Sequence, residues 1–215
     1  MMGEVKEIIV VGGGIGGLAV AYGIAKLGKK VTLLEQAPEF GEVGAGLQVG
    51  PNGLRALDVL GVLDEVYKLA VFPRRHVFMD ALNGTELSAV QFGDSFRERY
   101  GYPYIVIHRS DLHSVLLKAC QSSDNVSFLS NHRLESIKEF ADYVELRCAN
   151  GAVIQAETVI GADGIRSMTR KLVSQADPVI SQYVAYRFTV PMSEMTINID
   201  WDEKLTWIGP GIHLV

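Results

Sequence analysis

The sequence has little of several features that mark whole classes of protein. It has only two cysteines, Cys120 and Cys148, which excludes a disulfide framework and indicates reduced, structural thiols in a cytoplasmic protein. It has no excess of positive charge, because 20 Lys and Arg face 25 Asp and Glu for a net charge of −5, so we expect no nucleic-acid partner. It also lacks long apolar runs. The first run, Ile8–Val11, ends at glycines, so we expect neither a membrane span nor a signal peptide.

The remaining composition is that of an ordinary globular protein. Apolar residues make up 48% of the 215 residues and charged residues 21%, which excludes disorder and fibrous repeats. The length suits one large domain or two small ones.

The clearest pattern lies near the start of the chain. Ile8–Val11 is a β-branched run typical of a strand buried on both faces of a parallel sheet. Apolar residues then recur at helical spacing from Leu18 to Leu27, and Gly28 ends the helix. A second buried strand follows at Val31–Leu34. The sequence therefore predicts a complete β-α-β unit.

A glycine pattern joins the first strand to the helix. Gly12, Gly14 and Gly17 satisfy G-x-G-x-x-G, and each has an expected task. Gly12 permits the tight turn, Gly14 lets the backbone approach a diphosphate, and Gly17 lets the helix pack closely on the strand. The helix N-terminus offers N–H groups and partial positive charge to phosphates, so Ile15, its first residue, also belongs to the predicted site.

An acidic residue strengthens this interpretation. Glu35 ends the second strand 18 residues after Gly17, where a carboxylate accepts hydrogen bonds from a ribose diol and disfavours a 2′-phosphate. We include the adjacent Gln36 in the predicted site. The pattern predicts FAD or NAD and does not choose between them.

The rest of the chain is interleaved. Strand-like segments with turn signals occupy 76–107 and 126–160, and strands return after Ser181. Ser110 begins a predicted helix that carries Leu112 and Leu116. We expect the strands at 72–100 and after 180 to form a second, antiparallel layer.

Three later segments resemble the flavin-dependent aromatic hydroxylases, the class A flavoprotein monooxygenases. They are the loop and helix from Gly44 to Leu57, the His108–Leu112 turn, and the Val159–Arg170 segment with its Asp163-Gly164 pair. They occur in the order and at the spacing of that family. The resemblance implies FAD as the cofactor, NADH or NADPH and O2 as co-substrates, and hydroxylation of a phenolic aromatic acid.

The resemblance also implies cofactor contacts. Arg109 is similar to the family arginine that reaches the phosphate–ribityl region, and Ala45 and Gln48 lie on the loop that contacts the flavin ring. Leu134 matches a position whose backbone contacts the adenine side, and Asp163 matches the segment beside the diphosphate. The glycine turn, Glu35 and Gln36 complete this set.

One histidine is the candidate catalytic residue. His213 matches a pocket histidine that assists deprotonation of the phenol, and an imidazole is suited to proton transfer near neutral pH. The most similar members of the family act on 3-hydroxybenzoate, so we expect conversion to 2,5-dihydroxybenzoate (gentisate). Salicylate or 6-hydroxynicotinate hydroxylation and a non-catalytic FAD-binding fragment remain alternatives. No metal site is predicted, and a homodimer is compatible with the sequence.

The implied fold is α/β. It is a Rossmann-like FAD-binding domain over 1–71 and 101–178, with an incomplete β-sheet domain for substrate over 72–100 and 179–215, as in p-hydroxybenzoate hydroxylase. Because the chain stops in the apolar stretch Ile212–Val215 before the family's later aspartate segment, the sequence is interpreted as an N-terminal fragment.

Overall fold

A computed structural model of the chain describes residues 6–41, 44–174, 176–181, 184–187, 190–194, 200 and 202–215. The α-helices are α1 Ile15–Lys26, α2 Pro51–Leu60, α3 Leu63–Tyr67, α4 Asp94–Tyr100 and α5 Arg109–Gln121, and 3-10 helices lie at Thr169–Leu172 and Met192–Glu194. The strands are β1 Lys6–Val11, β2 Val31–Leu34, β3 Gly46–Val49, β4 Arg75–Asp80, β5 Glu86–Gln91, β6 Ile105–His108, β7 Val126–Leu129, β8 Leu134–Glu139, β9 Val144–Cys148, β10 Val153–Gly161, β11 Glu203–Gly209 and β12 Ile212–Leu214.

The elements group into two units. The first comprises Met1–Val43 and Ser110–Ala185, and the second comprises Gly44–Arg109 and Tyr186–Val215. The boundaries of these units differ from the domain boundaries predicted from the sequence. The predicted domain boundaries stay a prediction.

A six-stranded sheet forms the centre of the first unit, in the order β7-β2-β1-β10-β9-β8. β1 pairs in parallel with β2 and β10, so that Val10 lies opposite Leu33 and Ile160. β9 and β8 extend the sheet in antiparallel pairs. All four residues of β2 are buried, as its uninterrupted apolar sequence predicts for a strand covered on both faces.

Helix α1 lies on this sheet through small side chains. Gly17, Ala21 and Ala25 recur every four residues on its buried face, together with Leu18. The Cys120 thiol of α5 contacts the Leu18 carbonyl oxygen at 3.3 Å. Burial raises the pKa of Cys120 to about 11, so the thiol stays protonated and structural, as the sequence indicated.

The second unit holds two smaller sheets. A four-stranded sheet has the order β12-β11-β4-β5, and β3 pairs with β6. Helix α2 starts at Pro51 and ends at Gly61, whose φ of 76° is the left-handed conformation that favours glycine.

Two details of the second unit differ from the expectation. β4 and β11 pair in parallel, so this layer is mixed; only the hairpin pairs β4–β5 and β11–β12 are antiparallel. More than 100 residues separate β4 from β11, so no tight turn fixes their relative direction. In addition, α4 lies where the sequence indicated only short strands, and none of its residues is buried. A helix of seven residues is too short to give a clear periodic signal.

Candidate functional site

The turn between β1 and α1 requires glycine at two positions. Gly12 has a φ of 109°, and a methyl group added there would lie 2.3 Å from the Ala162 carbonyl oxygen. A methyl group at Gly17 would lie 1.8 Å from the Gly12 carbonyl oxygen. The first glycine thus permits the turn and the third permits close packing of helix on strand, as the sequence predicts.

The other side of the turn is open. A methyl group added at Gly14 or Gly16 would meet no protein atom within 4 Å. Gly14 caps α1 without a side-chain hydrogen bond, and the first bond of the helix runs from the Leu18 N–H to the Gly14 carbonyl at 2.9 Å. The N–H groups of the first turn, beginning at Ile15, therefore have no partner within the helix and are available to an anion.

Glu35 holds this turn in place. One carboxylate oxygen accepts a hydrogen bond from the Gly13 N–H at 2.7 Å, and the other accepts one from the Ala37 N–H at 2.8 Å. An ionised carboxylate has about four acceptor positions, so capacity remains for a ribose diol. The neighbouring Gln36 is exposed to solvent.

His113 supports the same turn, and sequence analysis missed it. It is buried in α5, and its Nε2 lies 2.8 Å from the Gly13 carbonyl oxygen. A carbonyl only accepts, so Nε2 must carry the proton and donate it. The contact joins residues 100 positions apart in sequence, and the chain offers no local signal for it.

Asp163 is bound by its own loop. One carboxylate oxygen accepts from the Ser167 and Thr169 hydroxyls, each at 2.6 Å. The other oxygen accepts from the N–H groups of Met168 at 2.7 Å and Thr169 at 3.1 Å. Burial alone would raise the pKa of Asp163, but these hydrogen bonds outweigh it and lower the pKa below its ordinary value. Because four donors occupy the carboxylate, its task is to shape the loop that packs against Gly12.

Leu134 lies in the hydrophobic core of the first unit. The Leu134 side chain is 7% exposed and belongs to the core cluster with Leu146.

A cavity of about 410 Å³ is lined by Ser167, Thr169 and Arg170 among others, and none of the turn glycines lines it. It is therefore not the dinucleotide site that the sequence predicts.

The second unit orders Ala45 and Gln48, and Gln48, expected on a loop, lies in strand β3. β3 and β6 are paired so that the Arg109 N–H donates to the Ala45 carbonyl at 3.2 Å. The Arg109 side chain lies across Gly44, where an added methyl group would be 2.8 Å from its Cδ. Gln48 accepts a hydrogen bond from the Tyr104 hydroxyl. The ring of Tyr104 stacks on Phe92 with centroids 4.3 Å apart.

His213 lies on β12, opposite Ile208 of β11, and is exposed. The roles predicted for His213 and for the cofactor residues stay predictions. Within the first unit, the structure brings Gly12, Gly14, Ile15, Gly17, Glu35 and the Asp163 loop together around one turn. Within the second unit, it brings Arg109 to Ala45.

Two classes of site were also searched for across the described residues. No group of three or more His, Cys, Asp or Glu side chains there could hold a metal ion. None of the helices in that part of the chain is long and apolar enough to cross a membrane.

Comparison with protein families decides the cofactor. Residues 5–208 match the FAD-binding domain family. The chain belongs to this family. FAD, rather than NAD, is therefore the dinucleotide of this FAD-binding domain. The open face at Gly14, the uncapped helix N-terminus and the acidic Glu35 fit its diphosphate and ribose.

Individual relatives agree with the family assignment. The FAD-binding domain is 37% identical over 211 residues to 3-hydroxybenzoate 6-hydroxylase 1 of Aquipseudomonas alcaligenes, covering 98% of the chain and 54% of that protein. It is 39% identical over 214 residues to 3-hydroxybenzoate 6-hydroxylase of Klebsiella oxytoca, covering 100% and 54%. The chain thus spans about half the length of these relatives.

A solved structure agrees with the fold. The p-nitrophenol 4-monooxygenase PnpA of Pseudomonas putida DLL-E4 superposes with a TM-score of 0.73 at 28% identity, over 80% of this chain and 44% of that one. The fold class expected from the sequence is confirmed, and the mixed second sheet and helix α4 are differences in detail.

Proposed function

We propose that the protein is a flavin-dependent monooxygenase that hydroxylates a phenolic aromatic acid, with 3-hydroxybenzoate as the substrate and 2,5-dihydroxybenzoate as the product. The observation that carries the proposal is the 37–39% identity, over almost the whole chain, to enzymes named for this reaction. NADH or NADPH supplies the electrons, and O2 supplies the oxygen atom.

The proposed cofactor contacts divide by chemistry. Gly12, Gly14, Ile15 and Gly17 present backbone to the diphosphate, and Glu35 accepts from the ribose hydroxyls. The Asp163 loop lies beside the diphosphate, Gln36 and Leu134 complete the adenine side, and Ala45, Gln48 and Arg109 contact the flavin side. When bound, FAD supplies hydride acceptance and oxygen activation, and the protein supplies orientation, electrostatics and exclusion of water.

His213 has a separate task. An imidazole that accepts the phenolic proton raises the electron density of the ring, and an electron-rich ring is the better acceptor of an electrophilic oxygen atom. Because His213 is proposed to act on the substrate alone, its loss should spare FAD binding.

Product analysis of the full-length protein tests the proposal. We expect 3-hydroxybenzoate to stimulate NADH oxidation and to yield one 2,5-dihydroxybenzoate per NADH and O2 consumed. Salicylate and 6-hydroxynicotinate serve as parallel substrates, and preferential turnover of either would replace the proposed substrate. The hydroxylase proposal fails if none of the three stimulates NADH oxidation or gives an oxygenated product.

Replacement of His213 tests its role. We expect His213→Ala to lower kcat for hydroxylation by about 10²–10⁴-fold, the usual contribution of a general base, with FAD content unchanged. An equal loss of hydroxylation and FAD content would make His213 a structural residue.

A further inference from the structure

One face of the four-stranded sheet carries a cluster of polar side chains. Strand alternation and the register Lys204–His76 and Thr206–Phe78 place these four residues on the same face of β4 and β11. Ile208 follows on that face, and its partner across the β11–β12 hairpin is His213. The candidate catalytic histidine and the cluster therefore share one face of one sheet.

The cluster is held by close contacts. Lys204 Nζ lies 2.8 Å from His76 Nε2 and 3.3 Å from Thr206 Oγ1, and the last two atoms are 2.8 Å apart. The His76 ring packs on Phe78 with centroids 4.2 Å apart. Because an ammonium group only donates, His76 Nε2 must be unprotonated and must accept. Two of the three Lys204 N–H donors are thereby used, and one is left.

Within the described part of the chain, the charge on Lys204 lacks a counter-charge. Among the residues that the structure describes, no carboxylate forms an ion pair with Lys204, whose two partners are both neutral. Asp80 follows Phe78 on the same face, but the Leu82 N–H at 2.7 Å and the Asn83 amide at 3.1 Å engage its carboxylate. Partial burial lowers the pKa of Lys204, and burial followed by the Lys204 charge lowers the pKa of His76, which keeps that ring neutral.

The opposite face of the same sheet shows the contrast. There Arg75 pairs with Glu203 and with Glu86 at 3.0 Å; just before β4, Arg74 pairs with Asp200 at 2.9 Å. Every one of these arginines has a carboxylate partner. A half-buried lysine held by a histidine and a threonine is a different arrangement, with one N–H donor left from which an anion could accept.

We propose that Lys204, positioned by His76 and Thr206, binds the carboxylate of the aromatic acid substrate. The inference rests on the proposed function and deepens it, since it assigns the two polar ends of the substrate to two places on one sheet. The carboxylate pairs with Lys204, and the phenol faces His213.

The spacing of the sheet suits this assignment. The Lys204 ammonium group lies beside Thr206, with Nζ 3.3 Å from Thr206 Oγ1. Thr206 and Ile208 are two positions apart, or about 7 Å along a strand, and directly paired residues such as Ile208 and His213 lie about 5 Å apart. A single aromatic ring with a polar group at each end spans a gap of that size. Phe78, paired with Thr206 on the neighbouring β4, offers an aromatic surface beside the carboxylate end of the substrate.

Binding measurements on the full-length protein test the proposal. The ligands are 3-hydroxybenzoate and its neutral analogue 3-hydroxybenzamide, and the readout is the equilibrium Kd. We expect Lys204→Met to weaken binding of the benzoate by about 10- to 100-fold, as for a lost charge-assisted hydrogen bond, and to change binding of the benzamide by less than about threefold. We expect Lys204→Arg to retain most of the preference for the carboxylate.

Lys68→Met is the matched control, because Lys68 is an exposed lysine of the same unit that pairs with Glu65. It should change neither Kd. The proposal is overturned if the wild-type protein binds 3-hydroxybenzoate and Lys204→Met either weakens the binding of both ligands equally or weakens the binding of neither. If the wild-type protein binds neither ligand and turns over no aromatic acid, the proposed function fails and this inference fails with it.

Discussion

A glycine-to-alanine series in the turn before α1 separates what the fold requires from what the cofactor requires. A methyl group at Gly17 would lie 1.8 Å from a backbone carbonyl oxygen, whereas one at Gly14 or Gly16 would meet no protein atom within 4 Å. Overpacking a core costs about 1–3 kcal/mol, and a clash with backbone belongs at the upper end. We therefore expect Gly17→Ala to lower the free energy of unfolding by about 3 kcal/mol, which lowers Tm by roughly 6–12 °C in a domain of this size.

The open glycines should respond differently. Gly16→Ala replaces an exposed helical glycine and should stabilise by about 0.5–1 kcal/mol. Gly14→Ala should change stability by no more than about 1 kcal/mol, because alanine is only a poorer N-cap than glycine. It should weaken FAD binding more than tenfold, since the added methyl group occupies the space that the diphosphate approaches.

Urea unfolding of the cofactor-free variants and FAD titration provide the two readouts. The packing argument is refuted if Gly17→Ala unfolds within 1 kcal/mol of the wild type. The cofactor argument is refuted if Gly14→Ala binds FAD as tightly as Gly16→Ala does.

Two further predictions concern carboxylates. Asp163→Asn should destabilise the protein at pH 7 by about 2 kcal/mol. The amide oxygen can still accept from the Met168 and Thr169 N–H groups, but the amide nitrogen cannot accept from the Ser167 and Thr169 hydroxyls, and the negative charge that strengthens all four hydrogen bonds is lost. The folded pKa of Asp163 lies below its ordinary value of 3.8, so its contribution is complete above that pH and is lost as the pH falls through the folded pKa. Unfolding curves across this range should show that the free energies of unfolding of the wild type and Asp163→Asn converge only in acid, and the exposed Asp142→Asn serves as the control. A difference that stays constant with pH would contradict the assignment. Glu35→Ala should weaken FAD binding by at least tenfold, since it removes both the ribose acceptor and the Gly13 contact, and unchanged flavin occupancy would count against both roles.

The first β-α-β unit was predictable because its signals are local. The β-branched run of β1, the helical repeat of α1 and the glycines between them lie within about 30 residues, and each acts on its immediate neighbours. The geometry at Gly12 and Gly17 agrees in detail, since each glycine lies so close to a backbone carbonyl oxygen that any side chain would clash with it.

Other features depend on contacts between residues far apart in the chain, which local sequence patterns do not predict. His113 has an ordinary place in an apolar helix, and only the fold brings its ring to the Gly13 carbonyl. The parallel pairing of β4 with β11 depends on the path of the chain between them. The Asp163 carboxylate was expected beside a cofactor. Only the folded loop shows that this carboxylate accepts from the Ser167 and Thr169 hydroxyls and from the Met168 and Thr169 N–H groups.

The site in the second unit shows the same limit. Lys204 and Thr206 alternate along one strand, which is visible in the sequence, but His76 lies 128 residues before Lys204 and joins them only through the sheet. No periodic pattern relates such positions, so a cation without a carboxylate partner could be recognised only in the folded protein.

The most direct test of the account follows the backbone amides of the turn by NMR while FAD is added to the full-length protein. The account predicts that the amide resonances of Gly14, Ile15 and Gly16 shift in step with flavin binding and saturate with it, and that ADP reproduces these shifts. If FAD binds while these three resonances stay where they were, the dinucleotide lies elsewhere and the central claim is contradicted.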